Sequence, residues 1–134
     1  MRRLTVLLIV ALAATAAIAP GAGAHGDANG LYGDVSNGTG KLVVGYARFV
    51  TEKAHYQNVV RVCLQRWKGG SRWRTLRCEK EKHLKGRDHT VRAVVECTNN
   101  GIYRAKLFGH VKTKKGKLRH RARGTTPGKA IACD

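Results

Sequence analysis

The chain is short of acid. Only 8 of its 134 residues are Asp or Glu, against 26 Lys and Arg, so the formal charge is +18 at neutral pH. No acid at all occurs between residues 98 and 133. That imbalance excludes a surface neutralised by mixed ion pairs. It points to partners of opposite sign: nucleic acid, acidic polysaccharide, anionic cell-wall polymer or phospholipid head groups. Serine is nearly absent. Ser36 and Ser71 are the only two, and neither stands in a G-x-S-x-G nucleophile elbow. There is no P-loop and no dinucleotide glycine fingerprint. No segment keeps an apolar stripe at helical spacing for three turns, which excludes a helix bundle. No two cysteines stand two to four residues apart, the spacing that structural zinc favours.

What is present begins with a targeting signal. Arg2 and Arg3 precede an apolar run over residues 4–14, and small residues ending in Ala22-Gly23-Ala24 follow. This is the pattern of a cleaved signal peptide over 1–24, and no later stretch is apolar enough to cross a bilayer. Cleavage after Ala24 would leave 110 residues with 24 bases against 8 acids, a charge of +16. One secreted domain with a modest core is expected. Residues 25–40 are rich in Gly, Asp and Asn and read as a flexible N-terminal arm.

From residue 41 the pattern is strand, turn, strand. Runs over 41–50, 58–67, 73–78, 90–97, 102–112, 118–123 and 130–133 are β-branched or aromatic, with turn signals between them. About seven short strands over 41–134 predict an all-β fold, a single antiparallel β-sandwich. Cys63, Cys78, Cys97 and Cys133 form an even set in a short exported chain and read as two disulfides. Three pairings are open. A tight two-residue loop at Gly70-Ser71 sets Cys63 directly opposite Cys78, within bridging distance. That leaves Cys97 for Cys133. A strict register from that loop puts Trp67 and Trp73 on opposite faces, an inconsistency that leaves a bulge or a longer loop open there.

The run from Cys63 through Trp67-Lys68-Gly69-Gly70-Ser71-Arg72-Trp73 to Cys78, then Cys97, then Gly101-Ile102-Tyr103-Arg104 and a distant Cys133, resembles small secreted proteins of high-GC bacteria. The resemblance covers about residues 57–134 and implies an immunoglobulin-like or fibronectin type III-like sandwich. Most such proteins have no assigned function. Tyr103 stands where a tyrosine corner would anchor a loop. In antibody domains a cysteine follows that tyrosine by two residues; here the position is Ala105.

The candidate chemistry is a basic face. One parity of the 102–112 strand holds Tyr103, Ala105, Leu107, Gly109 and Val111, an inward set. The other holds Arg104, Lys106, Phe108, His110 and Lys112. After a turn at Lys114-Lys115-Gly116, Lys117, Arg119, Arg121 and Arg123 share a face opposite Leu118, His120 and Ala122. Such a ribbon would meet phosphates or sulfates with its cations and offer Phe108 for stacking. The competing explanation is a solvated outer face.

Two further readings carry less. Cleavage after Ala24 would expose His25, whose amino group and imidazole can chelate copper, with His110 or His120 as partner. A basic nuclease would need a general base and acid, for which Glu52, His55, Glu96, His110 and His120 supply the residue types without a recognisable spacing. The expectation is therefore a binding module for anionic polymers or cell-surface components, without a cofactor. A cationic antimicrobial or toxin-like protein is the alternative. Trp73 is expected as a core anchor, Trp67 as a rim residue, and residues 80–89 as a solvated loop.

Overall fold

A computed structural model describes residues 30–51, 57–84 and 87–133. The leader, His25, Glu52 and His55 lie outside them. Eight strands follow in order: β1 (Gly30–Gly38), β2 (Leu42–Val50), β3 (Gln57–Gly69), β4 (Arg72–Leu84), β5 (Asp88–Glu96), β6 (Gly101–Lys112), β7 (Leu118–Thr125) and β8 (Lys129–Ile131). They form two antiparallel sheets. One has the order β1-β2-β5; the other has β4-β3-β6-β7, with β8 pairing the start of β6.

The extra strand is β1, inside the stretch read as an arm. It pairs residue for residue with β2. Only Leu31 and Val35 are its large buried side chains. An edge strand needs no more, and two apolar residues among glycines and polar groups leave too sparse an alternation to read. The second correction concerns residues 80–89. β4 runs through to Leu84 and β5 starts at Asp88, so the expected loop is largely strand. In Cys78-Glu79-Lys80-Glu81-Lys82 the period of two lies in the sign of charge, not in hydrophobicity.

The sheets close on a core of inward side chains. Val43, Ala47 and Phe49 come from β2, Val60, Val62 and Leu64 from β3, Ala93 from β5, and Ala105 and Leu107 from β6; all are fully buried. Each large one contributes about 1.5–3 kcal/mol by leaving water. Phe49, a fully buried phenylalanine, fits because β6 carries Gly109 beneath it. A Cβ on Gly109 would stand 2.9 Å from the Phe49 ring. The inward parity expected for β6 holds at every position: Tyr103, Ala105, Leu107, Gly109 and Val111 are all buried.

The disulfides are Cys63–Cys78 and Cys97–Cys133. The first joins directly opposed residues of β3 and β4. The second joins Cys97, just past β5 of one sheet, to Cys133, two residues past β8 of the other. Gly69 and Gly70, both at positive φ, make the β3–β4 turn, and Gly69 pairs with Arg72. Two one-residue slips follow, in opposite senses: Lys68 is extra on β3 and Leu76 is extra on β4. They cancel by the time the strands reach the cysteines. Between them Trp67 stands opposite Trp73, on the same face.

The tyrosine corner is present in geometry. The Tyr103 hydroxyl donates to the Asn99 carbonyl at 3.0 Å. Arg66 covers this corner, its guanidinium 6.0 Å from the Tyr103 ring and donating to the Asn100 carbonyl.

Candidate polyanion interface

The outer face of the larger sheet is built by alternation on four strands. On β6 the outward set is Arg104, Lys106, Phe108, His110 and Lys112, each half-buried. Register brings β3 and β7 alongside. Phe108 is flanked by Arg61 of β3 and by Arg123 of β7, while His110 lies beside Arg121. Arg61 in turn faces Lys80 of β4. One row across the sheet therefore reads Lys80, Arg61, Phe108, Arg123. With strands about 4.8 Å apart it spans roughly 14 Å.

The row is shaped as well as charged. The Arg61 guanidinium lies over the Phe108 ring, 5.4 Å from its centroid, and Nη2 of Arg61 reaches Cys78 Sγ at 3.5 Å. A hollow of about 200 Å³ is lined by Val59, Arg61, Lys80, Phe108, His110 and Arg123. A second, of about 350 Å³, opens on the other side of Phe108 and Arg123, with Lys106 and Thr125. A third, of about 380 Å³, shares Val59, Lys80 and His110 with the first and adds Lys82 and Lys112. The three run in series over the sheet.

Further along the same face Arg104 stacks on Trp73, its guanidinium 4.0 Å from the ring. Arg104 Nε donates to Gln65 Oε1 at 2.8 Å, and Gln65 Nε2 donates to Thr75 Oγ1 at 3.0 Å. Burial pushes the Arg104 pKa down from its usual value. Trp73 is thus no core anchor: it lies half-buried on the outer face, roofed by an arginine. The one-residue slip at Leu76 turned it outward. Trp67 is exposed, as expected of a rim residue, and its Nε1 donates to the Gly70 carbonyl.

No acid lies on this face among the described residues. Glu79 and Glu81 of β4 stand opposite Val62 and Val60 and so point to the inner side of the edge strand. There Glu79 pairs with Arg77 at 2.7 Å. Asp34, Asp88 and Glu96 point outward from the smaller sheet. Asp88 holds a two-point pair with Arg48, at 2.9 and 2.7 Å, which lowers the Asp88 pKa and raises that of Arg48. His110 is held below the usual histidine value, chiefly by burial and then by Arg121, Lys112, Lys80 and Arg123.

The expected site residues divide accordingly. Arg104, Lys106, Phe108, Lys112, Arg121 and Arg123 share the outer face. Lys117 and Arg119 do not belong to its regular pattern. Lys117 closes the 113–117 turn, exchanging hydrogen bonds with Thr113. Arg119 is an extra, unpaired residue between the Lys112–Leu118 and Val111–His120 pairs. That bulge also puts Leu118 outside, exposed, although it was expected to point inward with His120 and Ala122. Arg61, Lys80 and Lys82 were missed. The Cys63–Cys78 register was the signal for them, since it sets Arg61 opposite Lys80 two residues further on.

The nuclease candidates are not gathered. Glu96 is on the smaller sheet, His110 faces outward on β6, and His120 takes the inward parity of β7. Among the described residues no group of three or more His, Cys, Asp or Glu could hold a metal ion. No known protein family, curated protein or solved structure matches the chain.

Proposed function

We propose that this protein is an exported binding module that holds anionic polymers against the outer face of its β4-β3-β6-β7 sheet. The observation that carries the reading is the segregation of charge. All four strands contribute cations to this face, and the described acids sit elsewhere. Like charges gathered across strands cost stability, and a bound polyanion would repay that cost. Export accords with the two disulfides, which form and persist in oxidising compartments. We extend the reading to the fold: the Tyr103 corner supports kinship with immunoglobulin and fibronectin type III sandwiches. The pairing of β4 with β3 sets it apart from the constant-type immunoglobulin order, where the fourth strand joins the first sheet.

The test is retention on heparin and on phosphocellulose as salt is raised. The wild type is expected to bind at moderate salt, with log affinity falling linearly against log salt. The slope should be about 0.7–0.9 per neutralised phosphate. Reversing Arg119, Arg121 and Arg123 to Glu should leave the fold intact and abolish retention, with Arg121 and Arg123 carrying most of the effect. A folded triple variant that elutes with the wild type would reduce the face to ordinary solvated surface.

A further inference from the structure

We propose that the polymer is a single-stranded nucleic acid, held by its phosphates along the three hollows with a base stacked on Phe108. This rests on the polyanion reading above and narrows it. Three observations carry it. First, the hollows lie in series and share walls, so the face suits an extended chain and not a compact anion. Second, the central wall between two of them is an aromatic ring flanked by Arg61 and Arg123, with the Arg61 guanidinium over the ring at 5.4 Å, so a base stacks on Phe108 on the opposite face or in place of that guanidinium. Cations that track a backbone, with an aromatic platform between them, are the recurring means of holding single strands, because every base has a π-face. A duplex keeps its bases stacked and offers Phe108 nothing. Third, the face is poor in acceptors. It has no carboxylate among the described residues, and the Gln65 amide is engaged with Arg104 and Thr75. Sugar hydroxyls and base edges that need acceptors find few, whereas phosphate oxygens and ring faces are well served. Binding is therefore indifferent to sequence.

The experiment uses the purified disulfide-intact protein and three probes: an oligothymidylate of about 12 nucleotides, within the usual 4–16 per site, a duplex of equal length, and dextran sulfate. The oligothymidylate should bind more tightly than the duplex. Phe108→Ala should weaken oligothymidylate binding about 5- to 150-fold and leave dextran sulfate unchanged. Phe108→Leu, which keeps apolar volume but no ring, should behave like Phe108→Ala. Phe108→Trp should retain binding, and its added fluorescence should be quenched by oligothymidylate but not by dextran sulfate.

If the folded Phe108→Ala and Phe108→Leu proteins bind oligothymidylate like the wild type, or lose both probes equally, base stacking is wrong and the polyanion reading stands. Preference for duplex or for dextran sulfate over the single strand overturns the proposal in the same way. If none of the probes binds, both readings fall.

Discussion

Lys80 of β4 stands directly opposite Arg61 of β3, two like charges in one cross-strand pair, two residues beyond the bridge between Cys63 and Cys78. Opposed like charges destabilise a sheet by roughly 0.2–1 kcal/mol. The covalent link holds the register in spite of them. Lys80→Glu should therefore raise the melting temperature by a few degrees, through an opposite-charge pair with Arg61. The same substitution should move heparin elution to lower salt. Thermal unfolding and elution position check the two halves together; a variant that melts lower would show that the repulsion is not there to relieve.

Polyanion affinity should rise as pH falls below about 6.5. His110 titrates below the ordinary value in the free protein, because burial and the cations Arg121, Lys112, Lys80 and Arg123 disfavour its charged form. An anion on that face favours the imidazolium, so binding takes up a proton and strengthens with acid. The stability of the free protein should move the other way. The unfolded chain binds the proton first, so folding weakens as pH drops through the ordinary histidine pKa and levels off below the depressed one. His110→Gln should flatten its share of both profiles, read by calorimetry in the presence and absence of dextran sulfate.

The two disulfides should differ in consequence. Loop entropy assigns about 3 kcal/mol to the 15-residue separation of Cys63–Cys78 and about 4 kcal/mol to the 36-residue separation of Cys97–Cys133. Replacing Cys97 and Cys133 by Ser should cost more in denaturant unfolding, because that pair ties one sheet to the other. Replacing Cys63 and Cys78 should cost less in stability and more in heparin retention, because their bridge sets the register of the basic row. Equal losses of retention in the two double variants would refute that division.

Gly109→Ala should destabilise by about 1–3 kcal/mol, as an over-packed core does. The added methyl would meet the Phe49 ring, which fills the core and has little room to retreat. Urea unfolding of the variant, alone and combined with Phe49→Leu, checks it: the smaller partner should relieve part of the cost of the alanine.

Much of this was legible in the residues because a strand writes its two faces in alternate positions. The inward set of β6 and the opposed Cys63 and Cys78 follow from period two and a tight Gly70-Ser71 loop. What was not legible has specific causes. β1 buries only Leu31 and Val35 among glycines and polar residues, too few to show a period. β4 alternates charge, a pattern shared by solvated loops. Trp73 and Leu118 were assigned to the wrong face because a single extra residue, Leu76 in one case and Arg119 in the other, reverses every facing beyond it. Bulges leave no mark in composition. The row from Lys80 to Arg123 needs four strands in register, and the pairing at its centre, β3 with β6, joins segments distant in sequence.

The division of charge between the two sheets also bears on how the molecule arrives at a partner. Outward on the smaller sheet, Asp34, Asp88 and Glu96 stand among Arg48 and Arg92, with Lys129 near Asp34, so that side is close to neutral, while the cations of the other side are unopposed. The charge is therefore uneven across the thickness of the protein. In the field of an anionic surface such a body turns before it touches. More of its collisions then present the β6 face, which raises the rate of association above that of a uniformly charged sphere of equal net charge. The gain works over a Debye length, about 8 Å at physiological ionic strength, so it fades with salt sooner than the contacts themselves do. The acids of the smaller sheet, set among Arg48 and Arg92, thus keep that side near neutral and leave the β6 side as the leading face.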